Sequence, residues 1–169
     1  MIPAPTARLV FRAWRQADPF ATTLFGDPRV TALVGGPFDA AQIAERLATE
    51  LAKQRTHGFT YWPIETHAGE PVGCCGLKPR APGTPELGYY LVPGCWRAGY
   101  AAEAASSVIE LAFGALDADA IGAGHHPENH ASGRVLAKLG FRYVGHELYP
   151  PTGLEHPGYV LRNPRRPAT

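Results

Sequence analysis

The sequence has almost no net charge: 16 lysines and arginines stand against 15 aspartates and glutamates, +1 with histidine neutral. So close a balance gives no electrostatic reason to expect nucleic acid or an anionic membrane as partner. Cysteine is scarce too. The three present are the adjacent pair Cys74 and Cys75 and a lone Cys95. That odd number lacks zinc spacing, so a reduced, cytoplasmic chain is expected rather than a disulfide scaffold. No apolar run approaches the length of a membrane span. Met1-Ile2-Pro3-Ala4-Pro5 lacks the basic start and apolar stretch of a signal peptide. Two common phosphate-binding signatures are also missing, G-x-G-x-x-G after a strand and G-x-x-x-x-G-K-S/T.

What is present is enough for one folded unit. At 169 residues a core needs no metal or disulfide, and one domain is expected over 1–169, ordered at 8–162 with a flexible tail at 163–169. Strands are expected at Leu9–Ala13, Phe59–Thr66, Val72–Lys78, Glu86–Val92, Ala118–Gly124, Phe141–Leu148 and Gly158–Arg162. Helical segments are expected at 18–34, in two pieces broken at Gly26-Asp27-Pro28, and at 39–57 behind an Asp39/Gln42 capping box. Two more follow at 99–116 and 129–139, the last stopped by Gly140. Pro63 cannot donate to a ladder and is expected at an edge or a bulge. Pro79–Pro85 reads as a loop. Alternating strands and helices imply an α/β fold with a mixed sheet, mostly antiparallel at its start. In the strand at 86–92, Leu87, Tyr89 and Leu91 share one face, and Glu86, Gly88, Tyr90 and Val92 the other. The helix after 99 should bury Ala101, Ala105, Val108, Ala112 and Ala115. Arg162, Arg165 and Arg166 read as a solvated end.

The junction between that strand and that helix carries the chemistry. It reads Trp96-Arg97-Ala98-Gly99-Tyr100-Ala101-Ala102-Glu103-Ala104. A strand that turns through small residues into a helix leaves first-turn N–H groups unpaired and pointing one way, with the positive end of the helix behind them. Arg97 adds a full charge, and Gly99 with the alanines lets a bulky anion approach the main chain. A phosphate or pyrophosphate is the expected ligand.

These residues resemble motif A of the GNAT superfamily of acyl-CoA-dependent N-acetyltransferases, whose loop reads Q/R-x-x-G-x-G/A. Trp96, Gly99 and Ala101 take its fixed places. Trp in the first place departs from the general pattern and is similar to the RimJ/RimL-like branch, which acetylates ribosomal-protein N-termini and reads W-x-x-G-Y-A-x-E-A. A second stretch, Pro127 to Phe141, resembles the branch's P-x-N-x-x-S-x-x-V/L-L-x-K-L-G-F segment through Asn129, Ser132 and Lys138-Leu139-Gly140-Phe141. Arg8 to Trp14, with Asp18, is weakly similar to the family's first strand.

The resemblance implies a GNAT fold with splayed central parallel strands and acetyl-CoA as co-substrate. Leu91 and Val92 would offer backbone groups to the pantetheine arm. Arg97, Ala98, Gly99, Tyr100, Ala101 and Ala102 would hold the pyrophosphate. Asn129 would contact pantetheine or order its loop. Glu86 is the candidate general base, with a strand-end carboxylate as the plain alternative, and Gly88 beside it would leave room for substrate. Ser132 is the candidate acid, acting through a relay, against a first-turn hydroxyl bonding backbone. Tyr143 is held in reserve, its strand context favouring core packing. His125, His126 and His130 do not form H-E-x-x-H, so surface or cleft histidines are expected and no metal. No nucleophile sits in a recognisable elbow, so direct transfer in a ternary complex is expected. The acceptor is a primary amine, first a protein N-terminus, alternatively an antibiotic or polyamine. A non-catalytic acyl-CoA sensor is the rival from another class. Acceptor specificity is expected in Gly26–His57 and Tyr149–Pro157, and a homodimer is left open.

Overall fold

Cys74 and Cys75 point to opposite sides of one strand, and each side has a core of its own. The computed structural model describes residues 1–166. Its elements run β1 (Leu9–Phe11), α1 (Pro19–Phe25), α2 (Pro28–Thr31), α3 (Ala40–His57), β2 (Tyr61–Thr66), β3 (Pro71–Ala81), β4 (Thr84–Leu91), α4 (Tyr100–Phe113), β5 (Ala120–Gly124), α5 (His130–Lys138), β6 (Arg142–Tyr149) and β7 (Leu154–Arg162), with single 3-10 turns at Ala32–Val34 and Pro93–Cys95. The strands form one seven-stranded sheet in the order β1-β2-β3-β4-β5-β7-β6. Only β4 and β5 pair in parallel.

Helices cover both faces. On one, α4 and α5 bury Val108, Ala112 and Leu136 against Leu77, Leu87 and Ile121. On the other, α1 and α3 bury Phe20, Leu24, Phe25, Ile43 and Leu47 against Tyr61 and Cys74. The capping box forms as expected: Asp39 Oδ1 accepts the Gln42 N–H at 2.8 Å, and Gln42 Oε1 accepts the Asp39 N–H at 2.9 Å. Gly58 and Gly140 end their helices in the left-handed conformation, at φ 72° and 85°.

Several expectations need correction. Pro79–Pro85 is not an open loop: β3 runs to Ala81, β4 starts at Thr84, and Pro82-Gly83 turns the hairpin with Gly83 at φ 69°. β2 is not the sheet's edge. Its proline fits because the ladder with β1 stops at Ile64, and a bulge with β3 lies between Ile64 and Glu65. α4 buries Ala104 in place of Ala115, which is exposed. β7 starts at Leu154, so most of Tyr149–Pro157 is strand. The ends are pinned further out than 8–162. Thr6 Oγ donates to Glu103 at 2.6 Å, Asn163 Nδ2 donates to the Ala118 carbonyl at 2.9 Å, and Arg166 pairs with Asp117 and Asp119. The rest of the expected tail, residues 167–169, lies outside the described residues.

Candidate active site

β4 and β5 pair at only two positions, Glu86 with Gly122 and Leu87 with Ala123. Beyond them the strands diverge. In the β3–β4 ladder Val92 bonds Val72, so even-numbered β4 residues direct their backbone groups to β3 and odd-numbered ones to the other side. Tyr89 and Leu91 therefore present N–H groups to the gap. Val92 departs from expectation: its N–H donates to the Val72 carbonyl at 3.0 Å and its carbonyl accepts the Cys95 N–H at 2.9 Å. Both its backbone groups are engaged, and the residue does not line the cleft. The Leu91 carbonyl accepts the Trp96 indole N–H at 2.9 Å, which ties the following loop back to the strand end.

The loop then opens α4. Arg97 and Gly99 are left-handed, at φ 63° and 82°, on either side of Ala98. Alternation of hand turns successive N–H groups to a common side, an anion-binding concavity. Holding Arg97 so costs roughly 1–2 kcal/mol. Gly99 is the N-cap, without a side chain to cap the helix, and the first helical bond is Glu103 N–H to its carbonyl at 3.2 Å. The N–H groups of Tyr100, Ala101 and Ala102 thus lack intrahelical partners. A Cβ on Gly99 would meet only the Arg8 guanidinium, at 3.5 Å. The main chain there is open to a bulky anion, and the donor set suits a pyrophosphate.

On the same side of the sheet, Asn129 caps α5 by accepting the Ser132 N–H at 3.1 Å, so it orders the loop before that helix. The Tyr89 hydroxyl donates to the Ser132 carbonyl at 3.4 Å. Burial pushes that phenol up to about 12 despite the Ser132 bond, so it stays a donor at neutral pH. Arg134 and Lys138, four apart on the exposed side of α5, line the same end. A cleft of about 950 Å³ joins these groups to the opposite face through the gap.

That opposite face carries Glu86. Its Oε1 lies 2.8 Å from Lys78 Nζ and its Oε2 3.5 Å from Arg80 Nη1. Arg80 also pairs with Glu147. The two carboxylates lining this part of the cleft are therefore both shared with cations. Around them stand Val30, Leu33, Val34, Tyr61, Tyr90 and Tyr149. Gly88 does not leave its space to substrate: a Cβ there would meet the Tyr61 hydroxyl at 2.6 Å, because the buried Tyr61 ring fills it. The two segments expected to shape the acceptor end both reach it, through Arg29–Val34 and Tyr149–Pro150. They touch where Gly35 meets Pro151, a Cβ on Gly35 lying 3.1 Å from that proline.

The structure thus brings Glu86, Leu91, Arg97, Gly99–Ala102, Asn129 and Ser132 to one cleft. Tyr143 is elsewhere. It sits on the edge strand β6, 54% exposed, and bonds His146 rather than packing in the core. His125 and His126 line the cleft, and among the described residues no three His, Cys, Asp or Glu side chains are placed to hold a metal. Sequence reasoning passed over Tyr89, Arg8, His156 and the Arg134/Lys138 pair, although the basic spacing at i, i+4 was visible. Arg8 Nη1 donates to the Ala98 carbonyl at 3.0 Å and its side chain pairs with Glu103, so β1 braces the anion loop. No helix among the described residues is long and apolar enough to cross a membrane.

The comparisons agree with this geometry. Residues 8–142 match the sequence model described as "Acetyltransferase (GNAT) domain". The chain is 43% identical over 146 residues to the uncharacterized N-acetyltransferase YoaA of Bacillus subtilis, covering 83% of this chain and 82% of YoaA. An acetyltransferase crystal structure from Agrobacterium tumefaciens aligns with TM-score 0.82 and 28% identity over 96% of this chain and 95% of that one. Mycobacterium smegmatis RimJ, solved with CoA-disulfide, aligns with TM-score 0.76 over 100% and 93% of the two chains. Its 21% identity makes that a likeness of fold. The chain belongs to the GNAT family of acetyltransferases, acyltransferases that use acetyl-CoA as the donor.

Proposed function

We propose that this acetyltransferase moves the acetyl group of acetyl-CoA to a primary amine bearing one ammonium, first of all a protein N-terminus as in the RimJ/RimL-like branch, by direct transfer in a ternary complex. The carrying observation is the acceptor face. Its carboxylates, Glu86 and Glu147, are each paired with a cation, so it offers no row of free negative charge to a polyamine. Bound acetyl-CoA supplies the activated acetyl group. The N–H groups of Arg97 to Ala102 hold its pyrophosphate, with Arg134 and Lys138 as flanking cations, and the Tyr89 and Leu91 N–H groups face the acyl arm in the gap. Glu86 draws the single ammonium to the mouth of the gap. Ser132, at the start of α5 in the cleft, relays a proton toward the donor sulfur.

Direct transfer fits the thiols. Cys74 and Cys75 are buried, and burial pushes both thiols well above the usual range. Cys95 lines the cleft, but burial first, and Glu70 second, raise its thiol too. None offers a thiolate at neutral pH. Free cysteines also suit the reducing cytoplasm.

A small monoamine is the second reading, favoured by the Gly35–Pro151 contact that bounds the acceptor end. Thiol release from acetyl-CoA with N-terminal peptides, phenethylamine, spermidine and an aminoglycoside tests these readings. Peptides or phenethylamine should turn over fastest. Faster spermidine would contradict the single-ammonium reading, and tight acetyl-CoA binding with no turnover of any amine would favour a sensor.

A further inference from the structure

The acceptor face holds a titratable side chain that no motif marks. His156 pairs with Glu147 in the β6–β7 ladder, and four residues on Val160 pairs with Gly122, itself the partner of Glu86. Residues paired across a ladder share a face, as do residues two apart along a strand. His156 and Glu86 therefore stand on the same side of the sheet. β5 ends at Gly124, opposite Gly158, so His156 lies where the gap opens. It is 8% exposed and lines the cleft. The Tyr149 ring stacks on it at 4.6 Å between centroids, and His126 meets it edge-on at 5.4 Å.

Hydrogen bonds decide which nitrogen of each cleft histidine is free. The Thr152 hydroxyl donates to the Tyr149 carbonyl at 3.3 Å, so its oxygen accepts from His156 Nε2–H at 3.0 Å. That leaves the lone pair on His156 Nδ1. His126 Nδ1 accepts the Glu128 N–H at 3.1 Å, so its proton is on Nε2 and the neutral ring is a donor. His125 gives Nδ1–H to the His126 carbonyl at 2.8 Å, and its Nε2 accepts the Tyr159 hydroxyl at 3.1 Å. Of these three rings only His156 keeps an uncommitted lone pair. Both Glu86 oxygens, by contrast, already face cations.

We propose, on the acetyl-transfer function given above, that His156 Nδ1 takes the proton from the acceptor's ammonium while Glu86 holds that ammonium in place. One N–H bond of the ammonium breaks, an Nδ1–H bond forms, and the imidazolium returns its proton to solvent. The nitrogen's second proton ends on the donor sulfur, so one proton is released per acetyl group moved. Burial first, then His126 and His125, hold the His156 pKa below the ordinary histidine value, so the ring is neutral at pH 7. The groups facing it are Glu147 and Tyr149 from β6, with Arg80 behind Glu147, and His125 and His126 from the end of β5.

Two measurements test this. Long-range nitrogen–proton NMR on the protein without ligand reads the tautomer and the titration of His156. The expected result is a neutral ring protonated on Nε2, titrating below ~6.5. A proton on Nδ1 would overturn the assignment. The second is the pH profile of kcat/KM for wild type, His156→Gln and Glu86→Gln. Glutamine keeps a donor for Thr152 and removes the titrating nitrogen. His156→Gln should lose roughly 100-fold at pH 7 and lose the acid limb, with its acetyl-CoA affinity and melting temperature near wild type. Glu86→Gln should raise KM for the amine and keep that limb. If Glu86→Gln removes the limb and His156→Gln keeps it, Glu86 is the base and the proposal fails, though the acetyltransferase function stands. If wild type neither binds acetyl-CoA nor releases thiol, that function fails and the proposal with it.

Discussion

Arg8 and Glu103 grip each other at 2.6 Å across the foot of α4, although 95 residues separate them in sequence. The Arg8 main-chain N–H adds a second bond to the same carboxylate, at 2.9 Å, and the Thr6 hydroxyl a third, at 2.6 Å. The guanidinium also lies 4.4 Å from the centre of the Tyr100 ring. One arginine thereby fixes β1, the anion loop and the first turn of α4 together.

Removing that grip should loosen the loop more than the fold. Arg8 is about half exposed, so solvent screens the pair, and Glu103→Gln should cost only about 1 kcal/mol of stability. Acetyl-CoA affinity should fall several-fold, because Ala98 loses its brace. Calorimetry paired with thermal melting separates the two effects. Unchanged affinity would make the contact purely structural.

The anion loop was legible because its requirement is local: Gly99 must be left-handed and uncapped where a helix starts, and the residues on each side say so. The Asp39–Gln42 box and the two faces of β4 were legible for the same reason. The β3–β4 hairpin was missed although Pro82-Gly83 is a strong turn signal, because prolines at 79 and 85 argued for loop. His156 could not be seen. It reaches the cleft only because β7 inserts between β5 and β6, and nothing near residue 156 in sequence reports that order. The engagement of Val92 by Val72 is likewise a matter of ladder parity, which a strand's composition does not show.

Asp18 should set acid stability. It is buried, caps α1 by accepting the Phe20 N–H at 3.1 Å and pairs with Arg12 at 2.6 Å. Burial pushes its carboxyl up, but the bonds from Arg12 and the backbone of Phe20 and Arg15 outweigh that and hold it below the ordinary value. A lowered folded-state pKa means a contribution fully present above ~4 and lost as pH falls through the folded value. Asp18→Asn should cost about 2–4 kcal/mol at pH 7. In urea melts the difference should shrink below pH ~4. A constant difference down to the lowest pH would contradict the pairing.

Gly88→Ala should damage the acceptor face. Its Cβ would press on the Tyr61 hydroxyl at 2.6 Å, and Tyr61 is buried with little room to move. Overpacking of this kind costs about 1–3 kcal/mol. KM for the amine should rise while acetyl-CoA affinity holds, since Gly88 faces away from the anion loop. Steady-state kinetics at saturating acetyl-CoA reads this directly, and an unaltered KM would show that Tyr61 does not shape the acceptor end.

The claim most exposed to test is that the uncapped start of α4 holds the acetyl donor. Gly99→Asp puts a carboxylate, and a side chain unsuited to φ 82°, at that point. Calorimetric titration of acetyl-CoA into wild type and Gly99→Asp, with circular dichroism to confirm the fold, measures the consequence. Wild type should bind one acetyl-CoA per chain, and the variant should bind at least ~30-fold more weakly, about 2 kcal/mol. Equal affinity in the two folded proteins would place the donor somewhere else and contradict the account.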